Sequence, residues 1–336
     1  MRKEASINLW RDLYELACNI RVLEPWNYLW DMDLVGIDLE EKFGSAYCSV
    51  LGRGGECYGI GIHAGDTGLR DFLRVANNSW GEVPPEQFML DQDCLTCYWG
   101  DREEVPAQQK KIIKELGYKF RGKGNWLYFI SYKKRYFPHT PDEQEVKLLI
   151  EVFKNLFIVI KALHDGSLAS SQSAGQMIWR QFNKQTGGWS NRWIDLPEVD
   201  IAFPQLKLAD LFMRKQLQKK PKLALDLIVE VAYLHTAVKD NRYDRPVSTM
   251  VLLVINAADG NIVKLDILKP EQDDQLAVLD FFTEFVRNNG RMRMVITRNP
   301  KVKASLQDTC KYCKIMLIER EVEELTFVLD MLEESF

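Results

Sequence analysis

The sequence lacks the patterns that mark a membrane or secreted protein. Its most apolar segment, residues 148–163, is shorter than the about 20 residues that span a bilayer, and it carries Glu151, Lys154 and Lys161. Acidic and polar side chains near the N-terminus stand where a secretory signal needs an apolar run. The cysteine count is seven, an odd number, which favours reduced thiols over a disulfide framework. The sequence therefore predicts a soluble, cytoplasmic protein.

Catalytic motifs are scarce as well. The four histidines are scattered and form no H-x-x-x-H or H-E-x-x-H zinc motif, and there is no G-x-S-x-G. Residues 117–123 match the spacing of a phosphate loop, but Gly124 stands where that motif needs Ser or Thr. These absences favour a non-catalytic binding or interaction protein of unknown function over an enzyme. The alternative is a hydrolase or nuclease-like enzyme whose site the spacing does not reveal.

The overall composition is that of an ordinary globular protein. The chain has 336 residues, of which 46% are hydrophobic and 27% are charged. A chain of this length favours two or three domains. The net charge of -4 argues against a protein that coats nucleic acid with its whole surface, although it leaves room for a local basic patch.

Hydrophobic periodicity predicts a multidomain α+β protein. Helices and β-hairpins alternate through the first two thirds of the chain, and all nine tryptophans lie at or before Trp193. We predict an N-terminal α+β domain over residues 1–140 and a middle α+β region over residues 141–245. A C-terminal α/β domain over residues 246–336 completes the predicted layout.

The C-terminal third has the element order strand, turn, strand, helix, strand, helix, strand, which is compatible with an RNase H-like core. Enzymes with that core place carboxylates on the first strand and after the middle one, where two metal ions bind. Asn256 lies on the strand taken as the first, and Arg298 and Asn299 follow the middle one. The sequence thus predicts that this route of catalysis is absent.

One segment, KFRGKGNWLYFISYKKRYF (residues 119–137), is both basic and aromatic. Residues 110–135 contain nine Lys and Arg side chains against Glu115 alone, enough to attract a polyanion. The alternation of aromatic residues instead favours a buried strand with solvated basic ends. If the segment does bind nucleic acid or another polyanion, the candidate residues are Lys119, Arg121, Lys123, Trp126, Lys133, Lys134 and Arg135. The other predicted partner is a protein, and no membrane is expected.

Two C-x-x-C pairs are the candidate metal ligands. Four thiolates at this spacing can hold one tetrahedral zinc ion, although the two pairs of a zinc site are usually separated by only about 15–20 residues. The pairs here lie far apart in the chain, which favours buried thiols without a metal. We expect no cofactor, and the alternative is zinc shared by Cys94, Cys97, Cys310 and Cys313.

Several stretches resemble a conserved bacterial family of unknown function. They are EPWNYLWDMDLVGI, SVLGRGGECYGIGIHAG, QDCLTCYWGDREE and LGYKFRGKGNWLYFISYKKRYFP. Near the C-terminus, LLVINAADGNIVKLDILKP and VITRNPKV resemble a second domain of unknown function that often accompanies the first. The resemblance implies a two-part layout in a bacterial cytoplasm. It implies no activity and no catalytic residues.

Overall fold

The computed structural model describes residues 2–169 and 175–335. The protein is α+β, as predicted, and its chain divides into two compact units. Unit 1 comprises Met1–Ala76, Gln92–Lys133 and Pro138–Asp200, and unit 2 comprises Asn77–Asp91, Lys134–Phe137 and Ile201–Phe336. Each unit has its own hydrophobic core. The limits proposed at residues 140 and 245 stay a prediction.

The helices, in chain order, are α1 (Ile7–Val22), α2 (Glu40–Phe43), α3 (Gly65–Ala76), α4 (Pro85–Phe88), α5 (Ala107–Glu115), α6 (Glu143–His164), α7 (Leu211–Lys219), α8 (Asp274–Asn289), α9 (Pro300–Cys313) and α10 (Glu323–Ser335). The strands, in chain order, are β1 (Val35–Asp38), β2 (Ser45–Leu51), β3 (Gly59–Ala64), β4 (Cys94–Gly100), β5 (Trp126–Lys133), β6 (Tyr136–His139), β7 (Gln176–Asn183), β8 (Gly188–Asp195), β9 (Asp226–Val238), β10 (Val247–Asn256), β11 (Ile262–Leu268), β12 (Met294–Thr297) and β13 (Met316–Glu319).

Unit 1 is a sheet with two long helices packed on one face. Its strand order is β5-β4-β3-β2-β1-β7-β8, in which β1 and β7 are parallel and the other pairs are antiparallel. Helix α6 is capped by Asp142, whose side chain accepts from the backbone N–H of Glu145 while the Glu145 side chain accepts from the N–H of Asp142. Tyr14 of α1 and Phe153 of α6 both pack against Phe129 of β5, so this face carries the core.

Two details of unit 1 depart from what local patterns indicate. Adjacent glycines such as Gly54 and Gly55 are typical of a two-residue hairpin turn, but strands β2 and β3 start to pair at Leu51 and Gly59, so residues 52–58 form a longer loop. Within this loop the Tyr58 ring lies over Gly52, where a Cβ would be 2.4 Å from the ring. The basic segment is also mostly irregular before Trp126, where β5 begins.

Unit 2 contains the element order that the sequence predicted for its C-terminal part. Strands β9, β10 and β11 are antiparallel neighbours, and β12 and β13 continue the sheet in parallel on the other side of β9. Helices α7, α8 and α9 cover one face, and α10 covers the other. Strand β9, rather than β10, is therefore the central strand. Its residues are the ones that stand beside the end of β12.

A segment from the N-terminal part of the chain, residues 77–91, belongs to unit 2. Gln87 is buried, with 8% of its surface exposed, and both the oxygen and the nitrogen of its side-chain amide hydrogen-bond to the backbone of β9. Its Oε1 accepts from the N–H of Tyr233 at 2.6 Å, and its Nε2 donates to the carbonyl of Tyr233 at 2.8 Å. The amide thus satisfies both backbone groups of this buried residue.

A second anchor holds the same segment. Asp91 accepts from Lys301 Nζ at 2.7 Å, and Asp274 accepts from the same ammonium group at 2.7 Å. Burial would raise the pKa of Asp274, but the charge of Lys301 outweighs it and lowers that pKa.

Within residues 2–169 and 175–335, no helix is long and apolar enough to cross a membrane.

Removing the amide of Gln87 should destabilise the protein. Gln87→Ala leaves a buried N–H and a buried C=O of Tyr233 without partners, and each such group costs about 1–3 kcal/mol. We expect the free energy of unfolding, measured by urea denaturation, to fall by about 2–4 kcal/mol. The control is Gln205→Ala, an exposed amide of unit 2, which should change it by less than about 0.5 kcal/mol. Equal effects of the two variants would contradict this role of Gln87.

Candidate functional site

The register of three strands gathers aromatic side chains on the face of unit 1 opposite α1 and α6. Tyr98 of β4 pairs with Tyr128 of β5 and with Gly59 of β3. Side chains alternate along a strand, so Tyr128 and Tyr132 point away from the core residues Leu127 and Phe129. The rings of Tyr98 and Tyr128 lie 5.4 Å apart between centroids.

These rings border a cavity of about 630 Å³, which we call the tyrosine pocket. Its walls are Tyr58, Tyr98, Tyr128 and Tyr132, and its rim carries Asp101 and Glu104. A volume of this size is in the usual range for small-molecule sites, about 300–1,000 Å³. The residues that border the pocket all lie in unit 1.

Two glycines give space to side chains of the pocket. A Cβ at Gly59 would lie 2.9 Å from the Tyr98 ring, and a Cβ at Gly100 would lie 2.1 Å from Glu104 Oε2. Neither glycine needs an unusual backbone conformation, since neither has a positive φ. Both positions therefore require glycine for space alone, to let Tyr98 and Glu104 occupy their places.

A short hydrogen-bond chain fixes the acidic rim. Glu104 Oε2 accepts from the backbone N–H of Asp101 at 2.6 Å and from the hydroxyl of Tyr128 at 3.5 Å. Asp101 Oδ1 in turn accepts from the N–H of Gly124 at 2.8 Å. The loop after β4, which carries both carboxylates, is thereby tied to the loop before β5.

The hydroxyls and the thiol of the pocket are held in their neutral forms. Burial raises the pKa of Tyr98, Tyr128 and Tyr132, and the charge of Glu104 raises that of Tyr128 further. Burial also raises the pKa of Cys57, which borders the pocket, and Glu104 adds to the effect. At neutral pH these groups donate and accept hydrogen bonds, but they are poor nucleophiles and bases.

Four of the predicted binding residues share one exposed loop and its strand. Arg121 and Lys123, with Arg102, Phe120 and Trp126, border a shallow depression of about 470 Å³ that we call the basic shelf. Lys119 is exposed in the same loop. The Arg102 guanidinium lies 5.7 Å from the centroid of the Trp126 ring. Asp101 and Glu103 border the shelf too, so it is far less positive than residues 110–135 appear in sequence.

The other three predicted binding residues do not join this shelf. Lys133 ends β5 in unit 1, whereas Lys134 and Arg135 belong to unit 2. Arg135 is buried, and its Nη2 donates to the carbonyl of Lys269 at 2.7 Å. Its positive φ of 71° also places it in a tight turn. Arg135 is therefore a buried structural residue, although the run of basic residues in the sequence predicted an exposed binding residue.

The cysteine pairs lie in different units and are buried. Cys94 and Cys97 are on β4 in unit 1, and Cys310 and Cys313 are on α9 in unit 2. Burial raises the pKa of all four thiols, that of Cys94 to about 12, which opposes the thiolate form that zinc needs. In the part of the chain that the structure describes, no three His, Cys, Asp or Glu side chains are grouped to hold a metal ion.

The sequence reading missed a carboxylate beside the end of β12. Glu230 lies on β9 with 1% exposure, and it accepts from Asn299 Nδ2 at 2.8 Å and from Arg298 Nε at 3.2 Å. The sequence-based prediction took β10, which holds Asn256, as the first strand of the core. In the structure β9 occupies the central place next to β12, so Glu230 was not considered. Burial raises the pKa of Glu230, against the opposing charge of Arg298. With these bonds made, the Glu230 carboxylate is part of a buried ion pair.

The tyrosine pocket was missed for a different reason. The alternation of Trp126, Tyr128, Ile130 and Tyr132 was visible, but it indicated only one face of a strand. Tyr98 joins that face through pairing of β4 with β5, which are distant in sequence. The one local signal was the glycine at positions 59 and 100, whose lack of a side chain leaves space beside the rings.

His63 lies on β3, on the same sheet face as Tyr98. It is 4% exposed, its Nε2 is 3.9 Å from Cys94 Sγ, and its ring packs on Phe72. Its Nδ1 has no hydrogen-bond partner among the described residues. Burial lowers the pKa of His63 from 6.5 to about 4, so it is neutral at physiological pH.

Comparison with known families finds two matches. The model of the family described as "Domain of unknown function (DUF7309)" matches residues 10–180, which is about half of the chain. The model of the family described as "Domain of unknown function (DUF6930)" matches residues 213–334. The two matches confirm the two-part arrangement that the sequence resemblance implied. Comparison with curated protein sequences gives no significant match.

Two solved structures share a weak likeness. One is the integrase catalytic core domain of HTLV-2 in complex with magnesium, with 12% identity over 35% of this chain and 74% of that chain, and a TM-score of 0.25. The other is the simian T-cell lymphotropic virus intasome in complex with the PP2A regulatory subunit B56 gamma, with 13% identity over 34% of this chain and 44% of that chain, and a TM-score of 0.25. At these scores the likeness supports no statement about activity.

The burial of neutral His63 should make the protein acid-labile. Between pH 6.5 and about pH 4 the unfolded chain binds a proton that the folded protein excludes, so stability falls as the pH falls through this window. We expect a loss of about 2–3 kcal/mol in the free energy of unfolding between pH 7 and pH 4, measured by urea denaturation. His63→Phe should flatten this part of the profile. The exposed His164→Gln is the control, and an unchanged profile in His63→Phe would contradict the assignment.

Proposed function

This chain belongs to the family described as a domain of unknown function, DUF7309, and from its geometry we propose that it is a non-catalytic binding protein whose tyrosine pocket takes a small organic cation. The observation that carries the proposal is the combination of three aromatic rings on one sheet face, those of Tyr98, Tyr128 and Tyr132, with two carboxylates around one cavity. Aromatic faces attract cations, and quaternary ammonium groups in particular are bound by cages of such rings.

The charge of the lining fixes the sign of the ligand. Asp101 and Glu104 stand at the rim. Of the described residues that border the pocket, none is Lys, Arg or His. The hydroxyls of Tyr98, Tyr128 and Tyr132 remain neutral, since burial raises their pKa. An anionic ligand would meet two negative charges and no positive one, whereas a cation would find both ring faces and a counter-charge.

The same chemistry favours binding over catalysis. The pocket's thiol and phenols have raised pKa values, so none of them is an activated nucleophile or a base at neutral pH. Glu104 already accepts two hydrogen bonds, which hold it at the rim. These groups suit recognition of a ligand, with the hydroxyls orienting its polar part and the carboxylates neutralising its charge.

The proposal is tested by comparing choline with 3,3-dimethylbutan-1-ol, which has the same shape but no charge. We expect choline to bind in isothermal titration calorimetry and the neutral alcohol to bind at least several-fold more weakly. Glu104→Gln should weaken choline binding about five-fold, since two charges about 4 Å apart in water interact by about 1 kcal/mol. Tyr132→Leu should weaken it by about 2- to 30-fold, the range expected for a lost cation–π contact of about 0.5–2 kcal/mol.

Two further variants sharpen that experiment. Gly100→Ala keeps every charge but displaces Glu104, so it should weaken choline binding as Glu104→Gln does. Glu103→Gln removes a neighbouring carboxylate that does not border the pocket, so it should leave binding unchanged. Equal binding of choline and the neutral alcohol, or no response to Glu104→Gln, would count against an organic cation as the ligand.

The basic shelf supports a second candidate function, binding of single-stranded nucleic acid. The observation in its favour is an aromatic and basic surface around Trp126. The Arg102 guanidinium lies over the Trp126 ring, and the Phe120 ring lies 6.2 Å from it between centroids. Arg121 and Lys123 are exposed in the same loop. Aromatic rings stack on bases, and the basic side chains contact phosphates. Asp101 and Glu103 at the same surface oppose this function and make it the weaker candidate.

A labelled single-stranded oligonucleotide at two salt concentrations tests the shelf. If it binds, Arg121→Ala with Lys123→Ala should reduce affinity and lower the slope of log K against log salt by about 1.4, for two lost phosphate contacts. The control is Lys110→Ala with Lys111→Ala, which removes the same charge from α5. Equal effects of the two double variants would show attraction by overall charge and would rule out a specific surface.

We also propose the setting in which these functions operate. None of the seven cysteines, all of which lie in the described residues, is in a disulfide, which supports a reducing compartment such as the bacterial cytoplasm. Zinc shared by Cys94, Cys97, Cys310 and Cys313 remains a proposal that metal analysis of the purified protein would test. No cofactor is confirmed, and a protein partner likewise remains a proposal.

A further inference from the structure

Arg180 of β7 is a buried cation whose hydrogen-bond partners among the described residues are neutral. Its exposure is 4%, and it lies between α6 and the β7–β8 hairpin of unit 1. Its Nε donates to Asn155 Oδ1 at 2.8 Å, and its Nη1 donates to Asn191 Oδ1 at 2.9 Å. Both partners are neutral amides. Burial lowers the pKa of Arg180, and no neighbouring carboxylate counteracts that effect.

Among the carboxylates whose side chains the structure describes, none forms an ion pair with Arg180. The acidic side chain one turn before Asn155 on α6 is Glu151, and it pairs with Lys154 at 3.2 Å and with Lys42 at 4.0 Å. Buried charges in proteins are usually paired, because desolvating a lone charge is costly. An unpaired buried guanidinium therefore calls for a partner from outside the chain.

The free edge of the guanidinium is suited to such a partner. With Nε and one N–H of Nη1 in use, the second N–H of Nη1 and both of Nη2 are available. Nη2 has no partner among the described residues, and it is not among the buried atoms sealed from solvent. Nη1 and Nη2 together form the fork that binds a carboxylate through two parallel hydrogen bonds.

An aromatic ring covers the same group. The Trp189 centroid lies 4.7 Å from the Arg180 guanidinium carbon, and Phe182 packs on Trp189 at 5.6 Å. Trp189 is 42% exposed, so its ring presents an apolar surface beside the free edge. This surface would contact the apolar part of a ligand whose anionic group reaches the guanidinium.

We propose that Arg180, Asn191 and Trp189 form a binding site for a carboxylate that carries an apolar or aromatic group. One guanidinium matches the single charge of a carboxylate, whereas a phosphate dianion would keep one charge unneutralised. The site is separate from the tyrosine pocket, which is bordered by other residues and has the opposite charge preference. It does not depend on the function proposed for that pocket.

Benzoate is the probe for this site, and benzamide, acetate and inorganic phosphate are the comparison ligands. Binding would be followed through the Arg180 Nε–H signal in NMR spectra of the ¹⁵N-labelled full chain. We expect benzoate to shift this signal with a dissociation constant of roughly 1 mM, a weak affinity suited to a fragment. Acetate should bind more weakly, and benzamide should not shift the signal. A larger response to phosphate than to benzoate would overturn the assignment of a carboxylate.

Two variants separate the site from the fold. Arg180→Met should lose benzoate binding at least ten-fold, followed by calorimetry, whereas Arg192→Met on the neighbouring strand should keep it. Asn191→Asp places a carboxylate on Nη1, so the chain supplies its own counter-ion. This variant should raise Tm and abolish benzoate binding, even if Arg180→Met fails to fold. Benzoate binding that persists in Asn191→Asp, or a fall in its Tm, would overturn the proposal.

Discussion

The pairing of Tyr98 with Tyr128 is the constraint on which the candidate site depends. Antiparallel pairing with a period of two puts every second residue of β4 and β5 on one face. A slip of one residue would move the tyrosines into the core and expose Leu127 and Phe129. The packing of Phe129 against α1 and α6 prevents that slip. The aromatic pocket on one face is thus held in place by the apolar core on the other.

Two kinds of buried polar group occur in this protein, those whose bonds are satisfied within the chain and those with only neutral partners for a charge. In unit 2, Gln87, Glu230 and Lys301 have bonds that satisfy their polar atoms, and these bonds hold β9, β12 and residues 77–91 together. Such satisfied groups contribute to the uniqueness of a fold and need no ligand. Arg180 in unit 1 has only neutral partners. The difference between a satisfied and an unsatisfied buried charge is what distinguishes a structural group from a candidate site.

Charge counted along the chain and charge on a surface differ in this protein. Residues 110–135 are strongly basic in sequence, but folding buries Arg135 in unit 2 and brings Asp101 and Glu103 beside Arg121 and Lys123. Local electrostatics follow distance in space, and two exposed carboxylates offset much of the attraction of the shelf for a polyanion. The same rearrangement leaves the tyrosine pocket acidic, although it lies beside the basic segment.

The sequence by itself determined the elements, because helix and strand periodicity, caps and turn residues act over a few neighbouring positions. Local patterns predicted the α+β class, the hairpins, and the order of strands and helices near the C-terminus. Only the tertiary structure decided that β9 is the central strand, that Gln87 belongs to unit 2, and that Tyr98, Tyr128 and Tyr132 border one pocket. Those outcomes depend on pairing between distant strands and on which charges burial leaves without partners, and neither has a local signature.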